Sequence, residues 1–258
     1  MPKTPDFKKH NEMVARLWQE FEQGSPSRVP AVLNVRTRYF VFNKEINQKG
    51  YTFKQYYNNP KKMMKLQLEG QKWSRLNVIQ DRQMGLPEQW DGIFVDFRGV
   101  AVEAIWLGCE PFYCADNVLD CYPLLKNNRN MLYELDIPSP IHDNGIEQKT
   151  YDFYQYLEER RENLEFEGRP IGKSTVDLTT AGPFTVATKM RGTSELCLDI
   201  YEKPNYVHDL LSFVTEAIIR RIKAWSDLLG IKYPQQEWFL LEDTIAFLSS
   251  GHLSSFSG

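Results

Sequence analysis

Apolar positions along the chain fall into alternating helical and strand patterns. Val14, Leu17, Trp18 and Phe21 recur at helical spacing within residues 8–23, and Gly24 ends the run, so an amphipathic helix is predicted there. Residues 28–35 (RVPAVLNV) read as a short buried strand with a proline at its entry. Asn59-Pro60 then opens a second helix, with Asn as cap and Pro at the first helical position. Met63, Met64, Leu68, Trp73 and Leu76 give that helix its buried face. Residues 92–97 (GIFVDF) form an apolar strand holding one acid, Asp96.

The stretch 110–147 contains Pro111, Pro123, Pro138 and Pro140 among many Asn and Asp residues, and reads as a long surface excursion with little regular structure. A helix is predicted over 151–164, a strand over 168–180, and a loop at Ala181-Gly182-Pro183. The clearest helix starts near Pro204. Val207, Leu210, Leu211, Val214, Ile218, Trp225 and Leu229 keep its stripe, and Gly230 stops it. Residues 238–241 (WFLL) are a last strand, running into Glu242-Asp243. Strand and helix alternate without hairpin turns between neighbouring strands, which predicts an α/β fold with a parallel sheet in a single domain, 1–258.

Composition narrows the function classes. With 31 Lys+Arg against 34 Asp+Glu the formal net charge is −3, without the basic footprint of a general nucleic-acid binder. The longest apolar stretches, such as 101–109, are short and carry a charge at Glu103, so no membrane span is expected. The first ten residues are charged and lack the apolar core of a secretory signal, which predicts a cytoplasmic address. Cys109, Cys121 and Cys114 lack the tight spacing of a zinc or iron–sulfur site and read as ordinary thiols of a reducing compartment. No dinucleotide, P-loop, zinc-protease or serine-hydrolase motif occurs in the chain.

In parallel α/β folds ligands collect at the carboxyl ends of strands. Those ends carry Arg36, Arg38 and Tyr39 after the first strand, Asp96 and Arg98 at the second, Gly182, Thr185 and Lys189 after the third, and Glu242, Asp243 and Thr244 after the last. Arg36 and Arg38 alternate, so in an extended segment both point one way and suit an anionic ligand; the plain alternative is two solvated arginines. Asp96, the lone acid of an apolar strand, either faces a cleft or forms a buried ion pair. Gly182-Pro183 is equally a tight turn, and Glu242-Asp243 equally a helix cap. His142, His208 and His252 have no partner at ligand spacing.

The stretch 181–225 (AGPFTVATKMRGTSELCLDIYEKPNYVHDLLSFVTEAIIRRIKAW) resembles the uroporphyrinogen decarboxylase superfamily, with its Gly-Pro-aromatic-Thr loop, helix, acidic-Pro break and long helix. Arg28-Val29-Pro30, the run from Asn59-Pro60 to Met63, and the run from Leu241-Glu242-Asp243-Thr244 to Leu253-Ser254 resemble the same family. The resemblance implies a TIM-type (β/α)8 barrel. It implies either cofactor-free decarboxylation of a tetrapyrrole or methyl transfer involving a methylated corrinoid or a corrinoid protein. A homodimer is allowed.

True decarboxylases open with Arg-Gln-Ala-Gly-Arg-Tyr, where this chain has Asn34-Val35-Arg36-Thr37-Arg38-Tyr39; only the closing Arg-Tyr matches. The decarboxylase aspartate corresponds to Asp96, the family's tyrosine roughly to Lys189, and its later serine roughly to Thr244. Asp96 is therefore the implied catalytic residue, with Arg36, Arg38, Tyr39, Gly182, Lys189, Glu242 and Thr244 as implied ligand contacts. These departures favour the methyltransferase-like branch over the orthodox decarboxylase. A fragment that binds a tetrapyrrole or corrinoid without turnover is the third reading. The methyltransferase branch implies a late zinc site of His and Cys, and no such ligand set is read in this chain, so zinc is expected only if a further C-terminal segment supplies ligands. Four or five strands can be defended from the sequence, so the barrel is expected to be incomplete at its C-terminal end, and the chain inactive as it stands.

Overall fold

The structure is a computed structural model, and it describes residues 6–33, 35–95, 97, 101–114, 117–142, 145–176 and 179–231, with the backbone of 240–241. In chain order the elements begin with α1 (Phe7–Glu22), α2 (Thr37–Phe42), α3 (Phe53–Tyr57), α4 (Pro60–Asn77), β1 (Phe94–Val95) and α5 (Val102–Trp106). Next come β2 (Glu110–Phe112), β3 (Asp120–Tyr122), α6 (Ile146–Glu158), β4 (Glu165–Phe166) and β5 (Arg169–Pro170). The last are β6 (Thr175–Val176), β7 (Thr180–Ala181), α7 (Pro183–Arg191), α8 (Thr193–Glu202), α9 (Pro204–Leu229) and β8 (Leu240–Leu241). Contacts group them into two compact units, 1–93 with 157–174 and 94–156 with 175–258.

In the first unit the predicted helices form where the caps and apolar spacing place them. The Asp6 carboxylate accepts from the Lys9 amide to start α1, and Val14 and Leu17 are its buried residues. Asn59 caps α4 in the same way and Pro60 occupies its first position. Gly70 lets the Phe40 ring close on α4, since a Cβ there would stand 2.6 Å from that ring. The strand expected over 28–35 does not form among its described residues. Pro30 has no amide to donate to a ladder, the Ala31 amide donates to Asp81 at 2.6 Å, and the Leu33 amide donates to Gln80 at 2.8 Å. Val29 and Leu33 stay exposed, so the run is a strap held by side chains.

The predicted strand over 168–180 is broken into short pieces. β5 pairs with β4 as a hairpin, turned at Glu167 and Gly168 with φ of +52° and +71°. Beyond it Ile171 makes a parallel bridge to Trp90, whose indole donates to the Phe166 carbonyl at 2.8 Å.

In the second unit β1 runs parallel to β6, with Phe94 opposite Thr175 and Val95 opposite Val176. β7 runs parallel to β8, with Ala181 opposite Leu241. The α/β class with parallel pairing is therefore present; among the described residues the strands pair two by two and no closed barrel is formed. The stretch 110–147 departs from the expected excursion. It carries the antiparallel hairpin β2–β3 and a 3-10 turn over Arg129–Glu134, and it buries Leu119, Cys121, Leu125 and Leu132. Those four hydrophobic positions are enough to seat the stretch despite its many polar residues.

α7, α8 and α9 pack on one another. Gly192, at φ +97°, makes the break between the first two. α9 starts at Pro204 and ends at Gly230 in the left-handed conformation, as its stripe predicts. Val207, Leu210, Val214, Ile218 and Trp225 are buried along it. Among the described residues no helix is long and apolar enough to cross a membrane.

Candidate functional site

The end of β7 is the best-defined strand exit. Its chain passes through Gly182, which is extended and caps α7, into Pro183 at the first helical position. The Gly-Pro pair is thus the start of a helix, not an isolated turn. Beneath it lies Glu103 of α5. One oxygen of that carboxylate accepts from the Thr180 hydroxyl at 2.8 Å and from the Ala181 amide at 3.3 Å, pinning the last residues of the strand.

The same oxygen stands 3.8 Å from Arg221 on α9. Arg221 donates through Nε to Glu147 at 2.8 Å, and the Trp225 indole donates to the other Glu147 oxygen at 2.5 Å. Glu103, Glu147 and Arg221 are all buried, so one guanidinium faces two carboxylates. Burial pushes the Glu147 carboxyl up, against the pull of Arg221 and Trp225, and neighbouring Glu103 adds to the rise. This network positions the strand end and is buried. Sequence reasoning missed it although two signals were available: Glu103 is the one charge in an apolar run, and Arg221 lies on the apolar stripe of α9 between Ile218 and Trp225.

Lys189, also on α7, is ion-paired with Asp120 of β3, at 2.9 and 3.0 Å to its two oxygens. The pair is partly open to solvent. Next to Asp120, Cys121 is buried in β3 opposite Pro111 of β2.

Arg36, Arg38 and Tyr39 belong to the first unit. The extended rake expected of the two arginines ends at Arg36, which caps α2; Arg38 is already the second residue of that helix. Successive helical residues turn by about 100°, so the alternation that aimed both side chains one way is lost. Both are exposed, and the Tyr39 ring packs on Trp73 with centroids 5.2 Å apart. Asp96, Glu242 and Thr244, together with Arg98 and Asp243, lie outside the described residues; Asp96 follows β1 in sequence and Glu242 follows β8.

Residues 169–228 match the family described as uroporphyrinogen decarboxylase (URO-D). The matched segment is less than half of the chain. The segment includes β7, the Gly182 cap, α7, α8 and nearly all of α9, so it contains the strand exit and Arg221. Among solved structures, a methyltransferase from Methanosarcina mazei is similar at 16% identity and a TM-score of 0.49, over 95% of this chain and 66% of that one. The chain thus spans 66% of the length of that relative. No curated protein matches.

The methyltransferase branch of the superfamily resemblance implies zinc. Among the described residues no three His, Cys, Asp or Glu side chains converge to hold a metal ion, so these residues do not fit that group.

Proposed function

We propose that this chain is a cytoplasmic, TIM-barrel-type member of the uroporphyrinogen decarboxylase superfamily, related to its corrinoid-dependent methyltransferases, and that it binds a methylated corrinoid at its strand ends. The single observation that supports this reading is the family match over 169–228, which spans the exit of β7 through Gly182 into α7. Asp96 after β1, Gly182 after β7, and Glu242 and Thr244 after β8 are the residues assigned to the ligand, because ligands of parallel α/β folds collect at strand carboxyl ends.

Two departures favour the methyltransferase branch over tetrapyrrole decarboxylation. The opening decarboxylase signature is incomplete at 34–39, and Lys189, held by Asp120, stands roughly where decarboxylases carry tyrosine. Arg38-Tyr39, which matches the close of that signature, keeps decarboxylation as the second reading.

Absorbance titration of the purified chain with methylcobalamin, hydroxocobalamin and uroporphyrin tests the proposal, followed by incubation with uroporphyrinogen. Saturable micromolar binding of the corrinoids is expected, with loss of the methyl–cobalt absorbance once a thiol acceptor is added. Coproporphyrinogen formation that disappears in Asp96→Asn establishes the decarboxylase instead. Binding without either reaction leaves a ligand carrier, and no saturable binding of any of the three overturns the assignment.

A further inference from the structure

His142 stands on a relay that fixes its tautomer. Its Nδ1 lies 3.0 Å from Oε1 of Gln148, and the Gln148 amide nitrogen donates to Asp152 at 2.8 Å. A carboxylate only accepts, so Asp152 turns that nitrogen towards itself and leaves the amide oxygen for the ring. An oxygen acceptor opposite Nδ1 requires the ring proton there. In the neutral ring the lone pair therefore sits on Nε2, which has no hydrogen-bond partner among the described residues. The ring is also held in place. Tyr151 meets it edge-on with centroids 5.2 Å apart, and the His142 amide donates to Ser139 Oγ at 3.4 Å. The Ser139 carbonyl in turn accepts from the buried Trp106 indole at 3.1 Å. His142 itself is exposed.

The start of α6 gives this ring its address. Gln148 and Lys149 share the first turn of that helix, and the Lys149 ammonium lies over the Phe97 ring, 5.6 Å from its centroid. Phe97 follows Asp96 just beyond β1. The contact sets the first turn of α6 at the carboxyl end of β1, where ligands of parallel α/β folds collect. Among the described residues no three donors converge on a metal ion. A metal already held by the ring nitrogens of a macrocycle takes a single donor from the protein. A histidine whose other nitrogen donates to an oxygen acceptor is the usual form of such a donor, because the acceptor fixes the tautomer and raises the basicity of the ring.

We propose that His142 is the axial ligand, through Nε2, of the cobalt of a bound corrinoid. Nε2 replaces a water on the metal, without change of oxidation state, while Gln148 and Asp152 act as positioning residues for the ring. The inference rests on the corrinoid reading proposed above and names the residue that holds the metal.

The test mixes the purified full chain with cobinamide, a corrinoid without a nucleotide base of its own, reduced to cobalt(II). Electron paramagnetic resonance reads the axial ligand, because the unpaired electron lies along the axial direction and a bound nitrogen splits each cobalt line. A triplet is expected with the ordinary protein and a doublet with protein carrying nitrogen-15 histidine. His142→Ala is expected to lose the splitting. Replacing His10, His208 and His252 together leaves His142 as the sole histidine and is expected to retain it, so the assignment does not depend on His142→Ala folding. Gln148→Leu removes the acceptor and is expected to weaken cobinamide binding about 10-fold. Cobinamide binding without nitrogen splitting, or splitting that survives His142→Ala, overturns the axial assignment and leaves the corrinoid reading standing. Absence of cobinamide binding overturns both.

Discussion

Arg221 donates through Nε to Glu147 over 2.8 Å, and both side chains are shielded from solvent inside the second unit. Its Nη1 group has no hydrogen-bond partner and stands 3.8 Å from Glu103. Among the described residues the guanidinium is the cation paired with both buried carboxylates. Removing it leaves both acids uncompensated, a change that costs about 3–5 kcal/mol for buried pairs. Arg221→Met is expected to lower the unfolding free energy obtained from urea denaturation by that order. Arg220→Met, which breaks an exposed i,i+4 pair with Glu216, is expected to cost about 0.3–0.5 kcal/mol. Equal effects of the two substitutions would show that the buried network contributes no more than a surface pair.

Asp81 gives the first unit an acid limit. Arg28 donates to both carboxylate oxygens at 2.5 and 2.6 Å, the Ala31 amide adds a third bond, and the carboxyl is held down at about 2. The ordinary value is about 3.9. A carboxyl lowered on folding supplies stability that is complete above the unfolded value and is lost as pH falls toward the folded one. Melting temperature is expected to drop between about pH 4 and pH 2, and Asp81→Asn to be less stable at pH 7 with a shallower fall across that window. A parallel fall in both proteins would refute the assignment.

Helices were more legible than strands in this sequence, for a physical reason. α9 has both a long apolar period and its own punctuation at Pro204 and Gly230, so local signals suffice. The run 28–35 looks like a strand by composition, yet its backbone donors are taken by Asp81 and Gln80, fifty or so residues away, which no local pattern encodes. The β2–β3 hairpin was hidden by prolines and polar residues around only a few buried positions. The Glu103–Arg221–Glu147 cluster was half legible, since charges on apolar faces signal a buried pair but not its partner. Lys189 was singled out for a ligand, and its pairing with Asp120 depends on the hairpin the sequence did not show.

Gly92 tests the junction of 90–93 with 171–174 inside the first unit. A Cβ there would lie 1.8 Å from the Lys173 carbonyl oxygen, a backbone atom that no rotamer change can move aside. The Gly172 amide donates to the Trp90 carbonyl at 2.8 Å and holds the two segments in register. Gly92→Ala is expected to destabilise by at least the ~1–3 kcal/mol typical of overpacking. Gly50→Ala, at a position with open space but a φ of +64°, supplies the contrast of backbone strain alone. The check is chemical denaturation of both; a Gly92 variant as stable as the parent would show that the segments are free to part.

Lys189 links the site to the hairpin through a competition. Its ammonium is neutralised by Asp120, and an anionic ligand reaching α7 must share that cation or displace the carboxylate. Asp120→Asn is therefore expected to tighten binding of a carboxylate-rich porphyrin and Lys189→Met to weaken it. Each effect is about 2–5-fold, in keeping with the ~1 kcal/mol or less of a partly exposed pair. Both effects shrink as ionic strength rises, because partly exposed charges are screened. Binding isotherms at low and high salt provide the measurement, with melting temperature recorded alongside. If both substitutions leave affinity unchanged while lowering the melting temperature together, Lys189 serves only to pin β3 to α7 and has no part in ligand recognition.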